Sequence, residues 1–473
     1  MKFVLPLLLT LNLSAADKPN LLFIFADDMT YEAIGTLGNK DIKTPNLDRL
    51  FESGTTFTHA YNPGGWNGAI CVASRTMLMT GRQLWYAHRE EKTLNTEFVP
   101  AQKTWPQMLS KAGYETYMTG KWHVKIPADT IFDHVGDVRP GMPRDRKNAY
   151  NRPLVGQPDP WDATDKNEGG FWQGGKHWSE VEADTAIGYL DHAKTIDKPF
   201  FVYLAFNAPH DPRQAPQEYL DMYPIDQMKV PENFQPLYPH RNAMQAGKNL
   251  RDEALAPFPR TYQAVKTHRR EYYAIITHLD AQIGRVLQKL EENGQRDNTY
   301  IVFTADHGLS VGHHGLIGKQ NMYDHSIRVP FAIAGPEVEA GQRISAPIYL
   351  QDVIPSSLEA AGAEVPEHVQ FQSFIPILKG RSEGRDAIYT GYRLSQRQIT
   401  DDGFKLIVYP IGQAARLFDL NADPQEKYDL IEQGKHLEKG RNLLKKMKAL
   451  QKTVGDDLSL GSYPDLIVQK GSK

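Results

Sequence analysis

The chain has 473 residues, is 40% hydrophobic and 23% charged, and carries 54 Lys and Arg against 57 Asp and Glu, a net charge of −3. That length supports a large core, best divided as one principal domain with a smaller companion. The near balance of charge, with no long basic block, argues against nucleic acid as a partner.

Residues 1–16 read as a secretory signal: Lys2, an apolar run over 3–13, then Ser14-Ala15-Ala16 as a cleavage site. The run is too short to cross a bilayer, and no later stretch approaches ~18 apolar residues. The expectation is a secreted or periplasmic chain without stable membrane insertion. Residues 20–26 form a nearly continuous apolar run ending in Asp27-Asp28, as in a parallel strand buried on both faces. The segment 67–82 holds Cys71, the only cysteine, so an internal disulfide is excluded. If Cys71 opens a helix, Cys71 and Arg75 share one face beside the exposed N–H groups of its first turn, a seat for an anion.

Comparable apolar runs follow at 114–119, 200–206, 300–304 and 331–334, and a helical pattern spans 261–293 before Gly294. This alternation predicts an α/β domain with a mostly parallel sheet flanked by helices. Ligands bind such sheets beyond the carboxyl ends of the strands. Four of the runs meet polar or ionisable residues there: Asp27-Asp28, Gly120-Lys121-Trp122-His123, residues 207–211, and Asp306-His307. The irregular stretches 133–176 and 223–259 are expected to be loops bordering the site. Short strands at 386–392, 396–401, 404–409 and 416–420, with a helix over 436–452, predict a small α+β subdomain. The expected division is signal 1–16, catalytic domain 17–380 and C-terminal subdomain 381–473.

Adjacent carboxylates at 27 and 28 after a buried strand need a cation or cationic side chains to neutralise them. Asp306-His307 offers a second pair, and together they suit a hard divalent ion held mainly by oxygen. The pattern Cys71-x-Ala73-x-Arg75 followed by Thr80-Gly81 resembles the signature of the sulfatase family, with Ala73 where proline is commoner. In that family a maturation enzyme oxidises the cysteine to formylglycine (3-oxoalanine), whose hydrate is the nucleophile. Lys121 and His123, His210 after Pro209, and Lys319 downstream of Asp306 match further family motifs.

The resemblance runs from Asn20 through the C-terminal module. It implies an alkaline-phosphatase-like fold, sulfuric ester hydrolysis and a sulfated sugar as substrate. It implies a metal site of Asp27, Asp28, Cys71, Asp306 and His307 holding Ca2+, with Mg2+ or Mn2+ open because His307 stands where asparagine is common. Catalytic roles fall to Cys71, Arg75, Lys121, His123, His210 and Lys319, with Asp306 as base for the nucleophile, His210 and Lys319 protonating the leaving oxygen, and His123 taking a proton later. His313, His314, His325 and Arg213, near these motifs in sequence, are candidates for binding the sugar, as are Trp66, Asn67 and Asp324. Two rival readings are a phosphonate or phosphodiester hydrolase with the same nucleophile, and a silent sulfoglycan-binding protein in which Cys71 stays a thiol.

Overall fold

The strand Asn20–Ala26 (β1) runs through the middle of an eight-stranded sheet. The computed structural model that shows this describes residues 18–139, 147–172, 174–211, 213–247 and 249–461; the signal expected at 1–16 lies outside the described residues. The other strands are Thr55–Phe57 (β2), Glu115–Lys121 (β3), His134–Arg139 (β4), Phe200–Ala205 (β5), Thr299–Ala305 (β6), Phe331–Ala334 (β7) and Arg343–Ile344 (β8). Their spatial order is β8-β2-β7-β6-β1-β5-β3-β4. From β6 to β4 every pairing is parallel, whereas β7 runs antiparallel to both β6 and β2.

The parallel core follows from its composition. Leu22, Phe23, Ile24 and Phe25 on β1 are each at most 2% exposed, and each buried side chain of this size contributes roughly 1.5–3 kcal/mol. Helices cover both faces, as parallel strands require. The longest, Tyr262–Glu292, begins where the Thr261 side chain accepts from the Ala264 N–H at 3.1 Å, and packs along Trp178–Ala193 and Pro45–Glu52. Two departures from expectation stand out. β7 is antiparallel, and the stretch 133–176, expected to be irregular, contains the edge strand β4.

The C-terminal strands Ile388–Tyr392 (β9), Gln396–Asp401 (β10), Phe404–Tyr409 (β11) and Ala414–Asp419 (β12) form an antiparallel meander backed by the helix Leu437–Thr453. A fifth strand comes from far upstream: Gly64–Gly65 pairs in parallel with Gly391 and Tyr392. Gly64 adopts φ +111, and a Cβ there would fall 1.9 Å from the Gly391 carbonyl oxygen, so only glycine fits. The stretch leading to Cys71 is thereby built into the C-terminal sheet.

Candidate active site

Strand register gathers the polar residues at one edge of the main sheet. Ala26 of β1 is level with Ala305 of β6, Phe25 with Ala205 of β5, and Ala205 with Gly120 of β3. The residues just beyond these positions therefore emerge side by side. The ladder continues past the strands, with the Asp306 N–H donating to Ala26 O and the Asp27 N–H to Ala208 O, both at 3.1 Å.

Cys71 reaches this edge from the helix Ile70–Thr80, which has no side-chain cap at Ala69. The Val72 N–H of that turn donates to Ala69 O at 3.0 Å, and with no side chain capping the helix its positive dipole end is left for a ligand. Gly81, at φ +68, closes the helix through its N–H to Met77 O. One turn after Cys71, fully buried Arg75 donates to Lys121 O at 2.8 Å and to Asp306 Oδ2 at 3.3 Å, and lies 3.7 Å from Asp27 Oδ1. The Cys71 Sγ is 3.3 Å from His123 Nδ1. Lys121 pairs with Asp27, and Lys319 donates to Asp28 Oδ1 at 2.7 Å. His210 Nε2 lies 3.9 Å from Asp28 Oδ2. His307 Nε2 lies 3.4 Å from Asp28 Oδ1 and 3.5 Å from Asp306 Oδ1. Asp28 and His123 both adopt left-handed backbone, φ +69 and +59, a strain that packed surroundings sustain at functional sites.

Burial drives the Asp27 carboxyl up, but Lys121, then His210 and Arg75, outweigh it and hold it well below its ordinary range. Asp306 goes the other way, pushed well above that range by burial and then by the charge on Asp27. Burial, followed by Lys121, brings His123 down to about 3. Burial likewise brings His210 down to about 3, outweighing the opposing charge of Asp28, with Lys319 and Lys121 adding to the fall. Both imidazoles are neutral near pH 7. Burial would lower the Lys319 ammonium, but Asp28 and Asp252 reverse this and raise it well above its usual value.

The donor set fits a divalent ion. Asp27, Cys71, Asp306 and His307 each offer a ligand atom within 4.8 Å of the others, as do Asp27, Asp28 and His210. Asp27 Oδ1, Asp28 Oδ2 and His307 Nε2 are buried without a hydrogen-bond partner, an unfavourable state unless a cation meets them. Carboxylate oxygens with one imidazole suit Ca2+, Mg2+ or Mn2+. Above this centre opens a pocket of about 830 Å³, with Cys71, Lys121, His123, His210 and Lys319 on its wall.

A family model described as Sulfatase matches residues 19–363. The chain belongs to the sulfatase family. It is a sulfuric ester hydrolase of alkaline-phosphatase-like fold. A second model, N-sulphoglucosamine sulphohydrolase, C-terminal, matches residues 312–453. This sulfatase is 27% identical to an N-acetylglucosamine-6-O-sulfatase of Bacteroides thetaiotaomicron, over 93% of this chain and 87% of that one. It is also 27% identical to an arylsulfatase of Clostridium perfringens, over 89% and 92%. A solved protein in complex with its substrate D-glucosamine-2-N,6-O-disulfate matches the fold with TM-score 0.72 at 24% identity, covering 94% of this chain and 100% of that one. Phosphonate monoester hydrolase of Agrobacterium radiobacter matches it with TM-score 0.71 at 21% identity, covering 92% and 96%.

In this sulfatase the ten residues expected to bind metal or act in catalysis converge on one centre. The four expected to bind sugar do not line the pocket. His313 sits between Glu32 and Asn233 and stacks on His325, while His314 stacks on Tyr323 with ring centres 4.0 Å apart. Arg213 lies beside His268 over the Tyr272 ring. All four are buried, the histidines around a turn through left-handed Gly312 and His314 and Arg213 over the Tyr272 ring. Trp66 stacks on His88, and Asp324 pairs with Lys405 and Arg328. Asn67 does line the pocket, joined by Tyr150, Arg251, Asp252 and Gln320. Those last four carry no motif. Tyr150, Arg251 and Asp252 come from the two irregular stretches, and only the expectation that these border the site pointed to them.

Proposed function

We propose that this sulfatase removes sulfate from a sulfated carbohydrate, using formylglycine made from Cys71 by a maturation enzyme. A divalent ion, Ca2+ in preference to Mg2+ or Mn2+, would be held by Asp27, Asp28, Asp306 and His307 with the residue at 71. One observation carries the reading: the only sulfur outside methionine lies on a pocket floor among buried cations and orphaned metal-ligating atoms. The name of the N-acetylglucosamine-6-O-sulfatase relative supports a sugar substrate. The leader-like residues 1–16 support export to the periplasm or beyond, and no described helix is long and apolar enough to cross a membrane.

When present, the ion supplies concentrated positive charge and formylglycine supplies the nucleophile. The remaining work falls to side chains. Arg75, Lys121 and Lys319 match Asp27, Asp28 and Asp306 in formal charge, so a divalent ion leaves the centre positive and suited to an anionic ester. Charge fixed in advance where the transition state needs it is usually the largest catalytic term. Asp306, within 4.8 Å of the sulfur position, serves as base for the nucleophile once the ion's charge offsets the burial and the Asp27 charge that raise its carboxyl. Neutral His123, with Nδ1 3.3 Å from that position, takes a proton in the later half of the cycle. His210 Nδ1 lies 2.7 Å from the Asp211 carbonyl oxygen, which sets the Nδ1–H tautomer and leaves Nε2 for the pocket. The charge of a bound sulfate favours the imidazolium, whose Nε2 proton then passes to the leaving oxygen beside Lys319.

The test is peptide mass spectrometry across residues 68–75 of protein from a maturing host, followed by desulfation assays on defined sulfated glucosamines. Expected are an aldehyde mass at position 71, release of sulfate, and a folded Cys71→Ser variant at least about 10³-fold less active in a host that matures only cysteine. Preferred turnover of aryl phosphonate over aryl sulfate, or an unmodified thiol in active protein, would overturn the reading.

A further inference from the structure

Lys319 has two carboxylates within reach. Its Nζ donates to Asp28 Oδ1 at 2.7 Å and lies 3.9 Å from Asp252 Oδ2. Asp252 is 3% exposed and held from both sides, accepting from Gln320 Nε2 at 2.6 Å and from Arg251 Nη1 at 2.8 Å. Gln320 is itself anchored. Its Nε2 also donates to Gly68 O at 2.9 Å, its Oε1 accepts from the Lys319 N–H at 3.2 Å, and its carbonyl oxygen accepts from Gln396 Nε2 at 2.8 Å. Asp252 is thus a fixed anion at the edge of the metal centre, close enough to hold the ammonium that now sits on Asp28.

Asp28 faces two claims. Lys319 occupies its Oδ1, and His307 Nε2 approaches the same oxygen at 3.4 Å while Asp28 Oδ2 has no hydrogen-bond partner. An ion held by Asp28 and His307 would compete with Lys319 for that oxygen, and two cations so close in a buried site repel each other strongly. A buried ammonium also needs a counter-ion wherever it moves. We infer that Asp252 is a positioning residue, the second counter-ion of Lys319, which takes the ammonium when Asp28 engages the divalent ion and keeps it on the pocket wall. This rests on the metal reading given above.

The test is calorimetric titration of CaCl2 into chelator-stripped full-length wild type, Asp252→Asn, Asp252→Glu, Lys319→Met, and the Asp252→Asn/Lys319→Met pair. Asp252→Asn should weaken Ca2+ binding about 10- to 100-fold, the range typical of residues that support metal ligands without touching the ion. Asp252→Glu, which keeps a carboxylate, should recover most of that loss. With Lys319→Met in place, Asp252→Asn should change affinity by less than about threefold, since no ammonium then needs rehousing. Wild-type affinity in Asp252→Asn, or a loss that persists without Lys319, would overturn the inference. Should the asparagine variant fail to fold, Asp252→Ala makes the same comparison. A wild type that binds none of Ca2+, Mg2+ and Mn2+ would instead remove the metal reading itself, a result separable from either of these.

Discussion

His123 and His210 face one pocket, and their hydrogen bonds commit them to different work. His123 turns Nδ1 to position 71, whereas His210 spends Nδ1 on a carbonyl and keeps Nε2 toward Asp28 and the pocket. Alanine at either position should lower kcat on an alkyl or sugar sulfate by about 10²–10⁴-fold. An aryl sulfate with a strongly acidic phenol separates the two, because that leaving group needs no proton. His210→Ala should recover most of its rate on such a substrate and His123→Ala should not; equal losses on both substrates would contradict the assignment. These two histidines, proposed to act in catalysis, were legible in the sequence because each follows a buried apolar run within a few positions, at the strand ends where ligands bind such sheets. The pocket wall was not. His313, His314, His325 and Arg213 lie near motifs in sequence, yet the turn at Gly312 and the stacking on Tyr323 and Tyr272 take them inward.

Among elements, the short Gly64–Gly65 strand fixes where the Cys71 helix begins. Gly64→Ala forces a Cβ against the Gly391 carbonyl at a left-handed position. The expected loss is roughly 2–4 kcal/mol, with reduced kcat because the chain entering residue 71 shifts; unchanged thermal unfolding would show the pairing to be dispensable. Asp280, on the long helix, makes a second test. Its carboxylate accepts from the N–H groups of Asn46 and Leu47, at 3.1 and 2.7 Å, at the start of Pro45–Glu52. Burial outweighs these bonds and raises it from 3.8 to about 6. Between those values the folded protein holds a proton that the unfolded chain has released, so stability falls as pH rises through the window. Asp280→Asn stays neutral, and from pH 4 to 7 it should lose less stability than wild type by on the order of 2–3 kcal/mol, read from unfolding at each pH. A parallel dependence in both proteins would count against the buried carboxyl. Long apolar strands were legible to within a residue or two, but β4 was not, because His134–Arg139 mixes apolar and charged residues at a half-exposed edge. The two-residue strands depend on partners far away in the chain, which no local pattern records.

At the scale of the whole molecule, the expected division at residue 380 is crossed by the chain itself. Gly64–Gly65 belongs to the C-terminal sheet, and the two family matches overlap over 312–363. The proposed metal site has the same character, drawing on β1 through Asp27 and Asp28, on β6 through Asp306 and His307, and on the helix bearing residue 71. These groups are brought within a few ångströms only by the folded sheet, so a divalent ion bound there binds the native state and not the unfolded chain. Such an ion stabilises by mass action, about 2.7 kcal/mol at a free concentration 100 times its Kd. Chelator treatment should therefore lower both activity and Tm, the latter by a few degrees, since about 1 kcal/mol moves the Tm of a domain this large by only about one or two degrees. Added Ca2+ should restore both. Asp306→Asn removes one of the converging oxygens and should abolish most of the calcium-dependent rise in Tm, whereas a change remote from the centre, such as Lys439→Gln on the C-terminal helix, should leave that rise intact. A Tm that does not respond to Ca2+, Mg2+ or Mn2+ would mean that Arg75, Lys121 and Lys319 alone balance the three carboxylates. The orphaned atoms of Asp27, Asp28 and His307 would then need another partner.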